Sequence, residues 1–91
     1  MQIRDLYQII CDRRDNPTTK SYTASLFAKG EDEILKKVGE EAVEVVLAGK
    51  AQSDERLIEE VADLTYHTLV LLASRSIDPA AVAAELERRH K

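Results

Sequence analysis

Apolar residues recur along this chain three and four positions apart, the period of one face of an α-helix. Ile3, Leu6, Tyr7 and Ile10 follow that template and predict a first helix from near Met1 to Arg14. Asn16-Pro17 ends it, and Asn16 to Lys20 reads as a loop. Ser21 is placed to cap a short helix that closes at Gly30. Asp32 and Glu33 favour the N-terminus of a longer helix, whose apolar face of Ile34, Leu35, Val38, Ala42, Val45 and Val46 runs to an expected stop at Gly49. Ser53, with Asp54 and Glu55 behind it, opens another long helix reaching about Arg75. Its apolar half carries Leu57, Ile58, Val61, Leu64, Leu69, Leu71 and Leu72, and its polar half Arg56, Glu59, Glu60, Asp63 and His67. Asp78-Pro79 starts a last helix with Val82 and Leu86 on one stripe, and the basic tail Arg88-Arg89-His90-Lys91 complements its dipole.

The expected fold is therefore all-α, a bundle of four to five helices in a single domain spanning residues 1–91. Three Gly, two Pro and 33% charged residues suit a soluble helical protein and argue against disorder. A chain of 91 residues buries only a modest share of its surface alone, so partner subunits are expected. The net charge of −4 argues against broad nucleic-acid binding, which rests on an excess of Lys and Arg. The longest apolar run, Leu69 to Ala73, is too short to cross a bilayer, and no signal peptide is seen, so a cytoplasmic location without membrane contact is expected. The single cysteine, Cys11, sits on the apolar side of the first helix and reads as a packing residue.

Five acids carry the chemistry. Glu40, Glu41 and Glu44 stand in GEEAVEVV, and Glu60 and Asp63 in EEVADL. Residues three apart on a helix lie one above the other, so Glu41 pairs with Glu44 and Glu60 with Asp63. Two carboxylate pairs from two helices, with no thiolate, describe a site for a hard divalent cation, Mg²⁺ or Mn²⁺, whose commonest use is phosphate chemistry. A solvated acidic surface is the alternative. It would favour Lys or Arg four residues after each acid, yet those positions hold Glu44, Val45, Ala48, Leu64 and His67. Lys36 and Lys37 precede Glu40 and Glu41 by four, the weaker orientation, and compensate part of the charge. One imidazole among these acids matches neither zinc nor a di-iron bundle, so His67 reads as a hydrogen-bonding neighbour or a surface residue.

The string Glu40-Glu41-x-x-Glu44 followed by Glu60-x-x-Asp63 resembles the signature of the all-α, MazG-like nucleotide pyrophosphohydrolases. KSYTASLFAKG, ILKKVGEEAVEVVLAGK and EEVADLTYHTLVLLA narrow the resemblance to the phosphoribosyl-ATP pyrophosphohydrolase family of histidine biosynthesis, over nearly the whole chain and with no departure at the acidic positions. The resemblance implies hydrolysis of phosphoribosyl-ATP to the AMP derivative and pyrophosphate, and a fold completed by homodimerisation. It implies Glu41, Glu44, Glu60 and Asp63 as metal ligands and leaves Glu40 to orient or deprotonate the attacking water, or to join the metal shell. Lys20, Ser21 and Thr23, with Lys37, are the expected phosphate or phosphoribosyl contacts. The chain looks like the free-standing form, with the cyclohydrolase of the next step expected as a separate protein. A general nucleoside-triphosphate pyrophosphohydrolase and a non-catalytic helical dimerisation module are the rival readings; KSYT favours the first reading over the former, and the Glu40/Glu44 repulsion disfavours the latter.

Overall fold

The computed structural model describes all 91 residues, which form five α-helices and no strand: α1 (Ile3–Asp15), α2 (Tyr22–Lys29), α3 (Glu31–Ala51), α4 (Asp54–Ser74) and α5 (Ala80–His90). The expected caps are in place. Ser21 Oγ accepts the Ala24 N–H at 3.0 Å, Ser53 Oγ accepts the Arg56 N–H at 3.3 Å, and Asp78 Oδ1 accepts the Ala80 N–H at 2.8 Å. Gly30 ends α2 and begins α3 at a φ of 99°, a conformation that side-chain-bearing residues rarely adopt. The two helices therefore change direction at a single residue.

The stop expected at Gly49 does not occur. α3 continues to Ala51 and ends at Gln52. A helical glycine costs about 1 kcal/mol relative to alanine, too little to end a helix that is packed along its length, and Leu57 Cδ1 lies at an ordinary van der Waals distance of 3.8 Å from where a β-carbon would stand. With only Gln52 and Ser53 between them, α3 and α4 fold back as an antiparallel hairpin. Contacts at three levels fix its register. Gly49 meets Leu57 near the loop, Glu41 stands beside Glu60 and Asp63 at mid-length, and Arg75 donates to Glu31 Oε1 at 2.7 Å at the far end.

The core gathers Ile10 of α1, Leu26 of α2, Ile34 of α3 and Leu69, Val70 and Ala73 of α4, with Cys11 packed against it as its apolar position suggests. α1 and α2 thus close over one end of the hairpin, the end away from the Gln52-Ser53 loop. Arg14 reaches from α1 to donate to the Ala73 carbonyl at 2.6 Å, a second bond to an oxygen near the end of α4 that also accepts the Ser76 N–H at 3.0 Å. No residue of α5 is buried, and its Val82 and Leu86 border an apolar groove with Ile3, Leu64 and Leu72.

The division of α4 into apolar and polar halves needs correction. Glu60 and His67, placed on the polar half by periodicity, are each only 6% exposed, whereas Ile58 on the apolar half is 68% exposed. The face of α4 that packs on α3 runs through the acids, while Ile58 and Val61 of its first half are left exposed. No helix is long and apolar enough to cross a membrane.

Candidate active site

At mid-length of the hairpin, α3 presents Glu40, Glu41 and Glu44 and α4 presents Glu60 and Asp63. These five acids and Val43 line one open cavity of about 540 Å³. A carboxylate oxygen from each of Glu41, Glu60 and Asp63 lies within 4.8 Å of the others. Oxygens on a six-coordinate Mg²⁺ stand about 3 to 4 Å apart, given metal–oxygen bonds of about 2.1 Å. The triad therefore needs only a small contraction to enclose such an ion, and its all-oxygen donor set suits a hard cation. Glu44 lines the same cavity but lies outside the triad, and Glu40 is exposed at its edge with Lys37 Nζ at 3.8 Å.

The electrostatics of the triad are unfavourable without a cation. Burial raises the pKa of Glu41 above the ordinary carboxylate value; the charge of Asp63 adds to this, His67 opposes it, and the nearby Glu60 carboxylate raises it further. Glu60 is compensated by Arg56, whose Nη2 donates to Oε1 at 2.5 Å while Nη1 donates to Glu59 at 2.6 Å. This partner lies four residues before Glu60, and inspection of the positions after each acid passes over it. A single charged donor leaves the other Glu60 oxygen for the cavity.

A pH dependence follows from Glu41. Between the unfolded carboxylate value and its raised folded value, the folded chain holds a proton that the unfolded chain has released. The stability contributed by this group is present at low pH and is lost as pH rises through the folded pKa. Thermal melts in chelator should therefore show metal-free stability falling as pH rises just above the ordinary glutamate range, and Glu41→Gln should flatten that slope. A slope of the opposite sign at Glu41 would contradict the crowded-carboxylate description.

His67 proves to be a buried hydrogen-bonding neighbour and not a surface residue. Its Nδ1 lies 2.8 Å from the Asp63 carbonyl, which can only accept, so Nδ1 carries the proton. Nε2 lies 3.2 Å from the Tyr22 hydroxyl, which can donate to it or accept from it, so the pair is hydrogen-bonded in either protonation state of the ring. Beside it, Thr23 Oγ1 is hydrogen-bonded to the Tyr66 hydroxyl. Among the expected phosphate contacts, Ser21 caps α2, Thr23 bonds Tyr66, Lys20 is exposed, and half-buried Lys37 lies beside Glu40. Tyr22, Tyr66 and Arg56 are the residues of this region that sequence reasoning did not single out. Tyr66 and His67 are adjacent in sequence on α4, but nothing local connected them to α2.

The sequence matches the family model described as phosphoribosyl-ATP pyrophosphohydrolase over residues 3–90. It is 60% identical over 85 residues to a phosphoribosyl-ATP pyrophosphatase of Trichlorobacter lovleyi, covering 93% of this chain and 79% of that one. A protein of the same name from Pelotomaculum thermopropionicum is 54% identical over 89 residues, 98% of this chain and 91% of the relative. The histidine biosynthesis bifunctional protein HisIE of Nostoc sp. is 51% identical over 89 residues, and the chain spans 41% of its length.

Proposed function

The chain belongs to the phosphoribosyl-ATP pyrophosphohydrolase family, enzymes of histidine biosynthesis, and on that premise we propose that it hydrolyses phosphoribosyl-ATP to phosphoribosyl-AMP and pyrophosphate at the acidic cavity between α3 and α4. The observation that carries this reading is the convergence of Glu41, Glu60 and Asp63 within 4.8 Å in a chain matched to that family from residue 3 to residue 90.

Glu41, Glu60 and Asp63, joined by Glu44 from the cavity wall, hold a divalent cation, Mg²⁺ or in its place Mn²⁺. When bound, the ion neutralises charge on the triphosphate and supports in-line displacement at phosphorus. Glu40, at the cavity edge and free of the triad, orients the attacking water and accepts its proton. Lys20, Ser21 and Thr23 at the start of α2, with Lys37 on α3, receive the phosphate and phosphoribosyl groups; Lys20 and Lys37 supply charge, and the first amides of α2 supply N–H donors. The reaction is cytoplasmic, and its product passes to a cyclohydrolase. The fold is one domain over residues 1–91.

The protein acts as a homodimer whose interface is built on α3 and α4. Only 10 of 91 residues are buried in one chain, while Val46, Leu47, Ile58 and Val61 remain open on these two helices. That is too small a core for the apolar surface present. Sedimentation at micromolar concentration should show no substantial monomer. Val46→Asp or Ile58→Asp, by burying an unpaired charge, should weaken association by about 100-fold or more. A fully active wild-type monomer would overturn the dimer.

The reading is tested by measuring pyrophosphate release from phosphoribosyl-ATP and from a panel of plain nucleoside triphosphates, with and without Mg²⁺. Turnover of phosphoribosyl-ATP alone, and only with Mg²⁺, is expected. Equal turnover of the plain triphosphates would make the chain a general pyrophosphohydrolase instead.

A further inference from the structure

Four side chains connect α2 to α4. The Tyr22 hydroxyl meets His67 Nε2 at 3.2 Å, and the Thr23 hydroxyl bonds that of Tyr66. The Tyr66 and His67 rings meet edge to face with centroids 4.9 Å apart, and Tyr22 stacks on Tyr66 at 6.4 Å. α2 buries Ala24 and Leu26, and Leu26 joins the core residues of α1 and α3. Its first turn is therefore held to α4 by this polar and aromatic group.

The other end of the connection reaches the acids. His67 Nδ1 donates to the backbone carbonyl of Asp63, at 2.8 Å and one helical turn back along α4. A single buried imidazole thus bonds both the first residue of α2 and the peptide that carries Asp63. Every buried side-chain polar atom here has a partner, so the ring has no spare hydrogen-bonding capacity and one fixed orientation.

We propose that Tyr22 and His67 are positioning residues, which hold the N-terminal turn of α2 in register with the carboxylates of α3 and α4 so that the substrate's phosphates meet both at once. The inference rests on the pyrophosphohydrolase reading for the identity of the ligand. Tyr22→Phe keeps the ring stack and removes one hydroxyl. His67→Asn keeps a donor near the Nδ1 position for the Asp63 carbonyl but cannot reach Tyr22. Both changes cut the same link.

The experiment measures three quantities in the wild type, Tyr22→Phe, His67→Asn and the double variant: Mn²⁺ affinity, the affinity for inorganic pyrophosphate in the presence of Mn²⁺, and KM and kcat for phosphoribosyl-ATP. All are measured well below each variant's Tm. Losing one hydrogen bond's worth of registration should weaken pyrophosphate binding and raise KM by about 2- to 10-fold, with kcat changed less and Mn²⁺ affinity kept. The double variant should be no worse than either single one, because the two substitutions break one link. A fall in Tm with unaltered pyrophosphate affinity, losses that multiply in the double variant, or a wild type that does not bind pyrophosphate would each overturn the proposal. A wild type that binds pyrophosphate with this pattern yet leaves phosphoribosyl-ATP intact would support the positioning link and sink the substrate assignment.

Discussion

Glu41→Gln, Glu44→Gln, Glu60→Gln and Asp63→Asn should each lower kcat/KM by about 1,000-fold or more while leaving the far-UV circular dichroism unchanged. A cation that stabilises developing phosphate charge contributes several kcal/mol to the transition state, and three powers of ten in rate correspond to about 4 kcal/mol. The amide variants keep shape and helix propensity and remove only the anionic donor. In Glu41→Gln and Asp63→Asn the metal-free protein should also melt slightly higher, because the first removes the buried Glu41 charge and both remove its repulsion with Asp63, the causes of its raised pKa. Glu60→Gln should not share that gain, since it takes the charge partner from Arg56. Glu44 is the most informative of the four. It lines the cavity outside the close triad, so its loss of activity would show that the site draws it in when a cation binds. Glu55→Gln and Glu59→Gln, exposed on α4 outside the cavity, should change activity less than about twofold, as surface charges contribute little. Near-normal activity in both Glu44→Gln and Asp63→Asn would remove the shared site.

The second large effect divides proton transfer from ligation. Glu40 stands at the cavity edge, exposed and 3.8 Å from Lys37, while Glu41 sits in the triad. Neighbouring residues on a helix diverge by about 100°, so the two carboxylates can share a cavity without sharing an ion. Glu40→Gln should therefore slow the chemical step by about 10²- to 10⁴-fold and leave Mn²⁺ affinity and substrate binding nearly unchanged. Glu41→Gln should weaken Mn²⁺ binding itself. Single-turnover rates beside calorimetric Mn²⁺ titrations distinguish the two. Equal loss of metal in both variants would make Glu40 a ligand and leave the attacking water without this base.

The helices were legible in the sequence because their signals are local. Ser21, Ser53 and Asp78 cap where short-range chemistry places them, and the apolar period marks each element. The acids were legible for the same reason, since helical spacing pairs them before any tertiary contact is known. Features set by packing between helices were less legible. Gly49 looked like a stop, but α3 runs through it to Ala51, because the helical cost of one glycine, about 1 kcal/mol, is small beside the packing of α3 on α4. Periodicity placed Glu60 and His67 on the polar half of α4 without showing that this half is covered; the hairpin buries them beside an acidic cavity, Glu60 on Arg56 and His67 on Asp63 and Tyr22. Ile58 and Val46, each 68% exposed, are the converse, apolar residues left open by their own chain. Tyr22 and His67 are separated by 44 intervening residues, and no periodicity in either segment announces that they meet.

The central claim is that the carboxylates of α3 and α4 hold the cation on which hydrolysis depends. It is tested most directly by following pyrophosphate release from phosphoribosyl-ATP while Mg²⁺ is titrated into chelated wild-type protein and into Asp63→Asn. Wild type should be silent in chelator and rise to a plateau with Mg²⁺, and Asp63→Asn should stay near background across the same range. Full turnover in chelator, or an Asp63→Asn curve that saturates at the wild-type Mg²⁺ concentration and rate, would contradict the account.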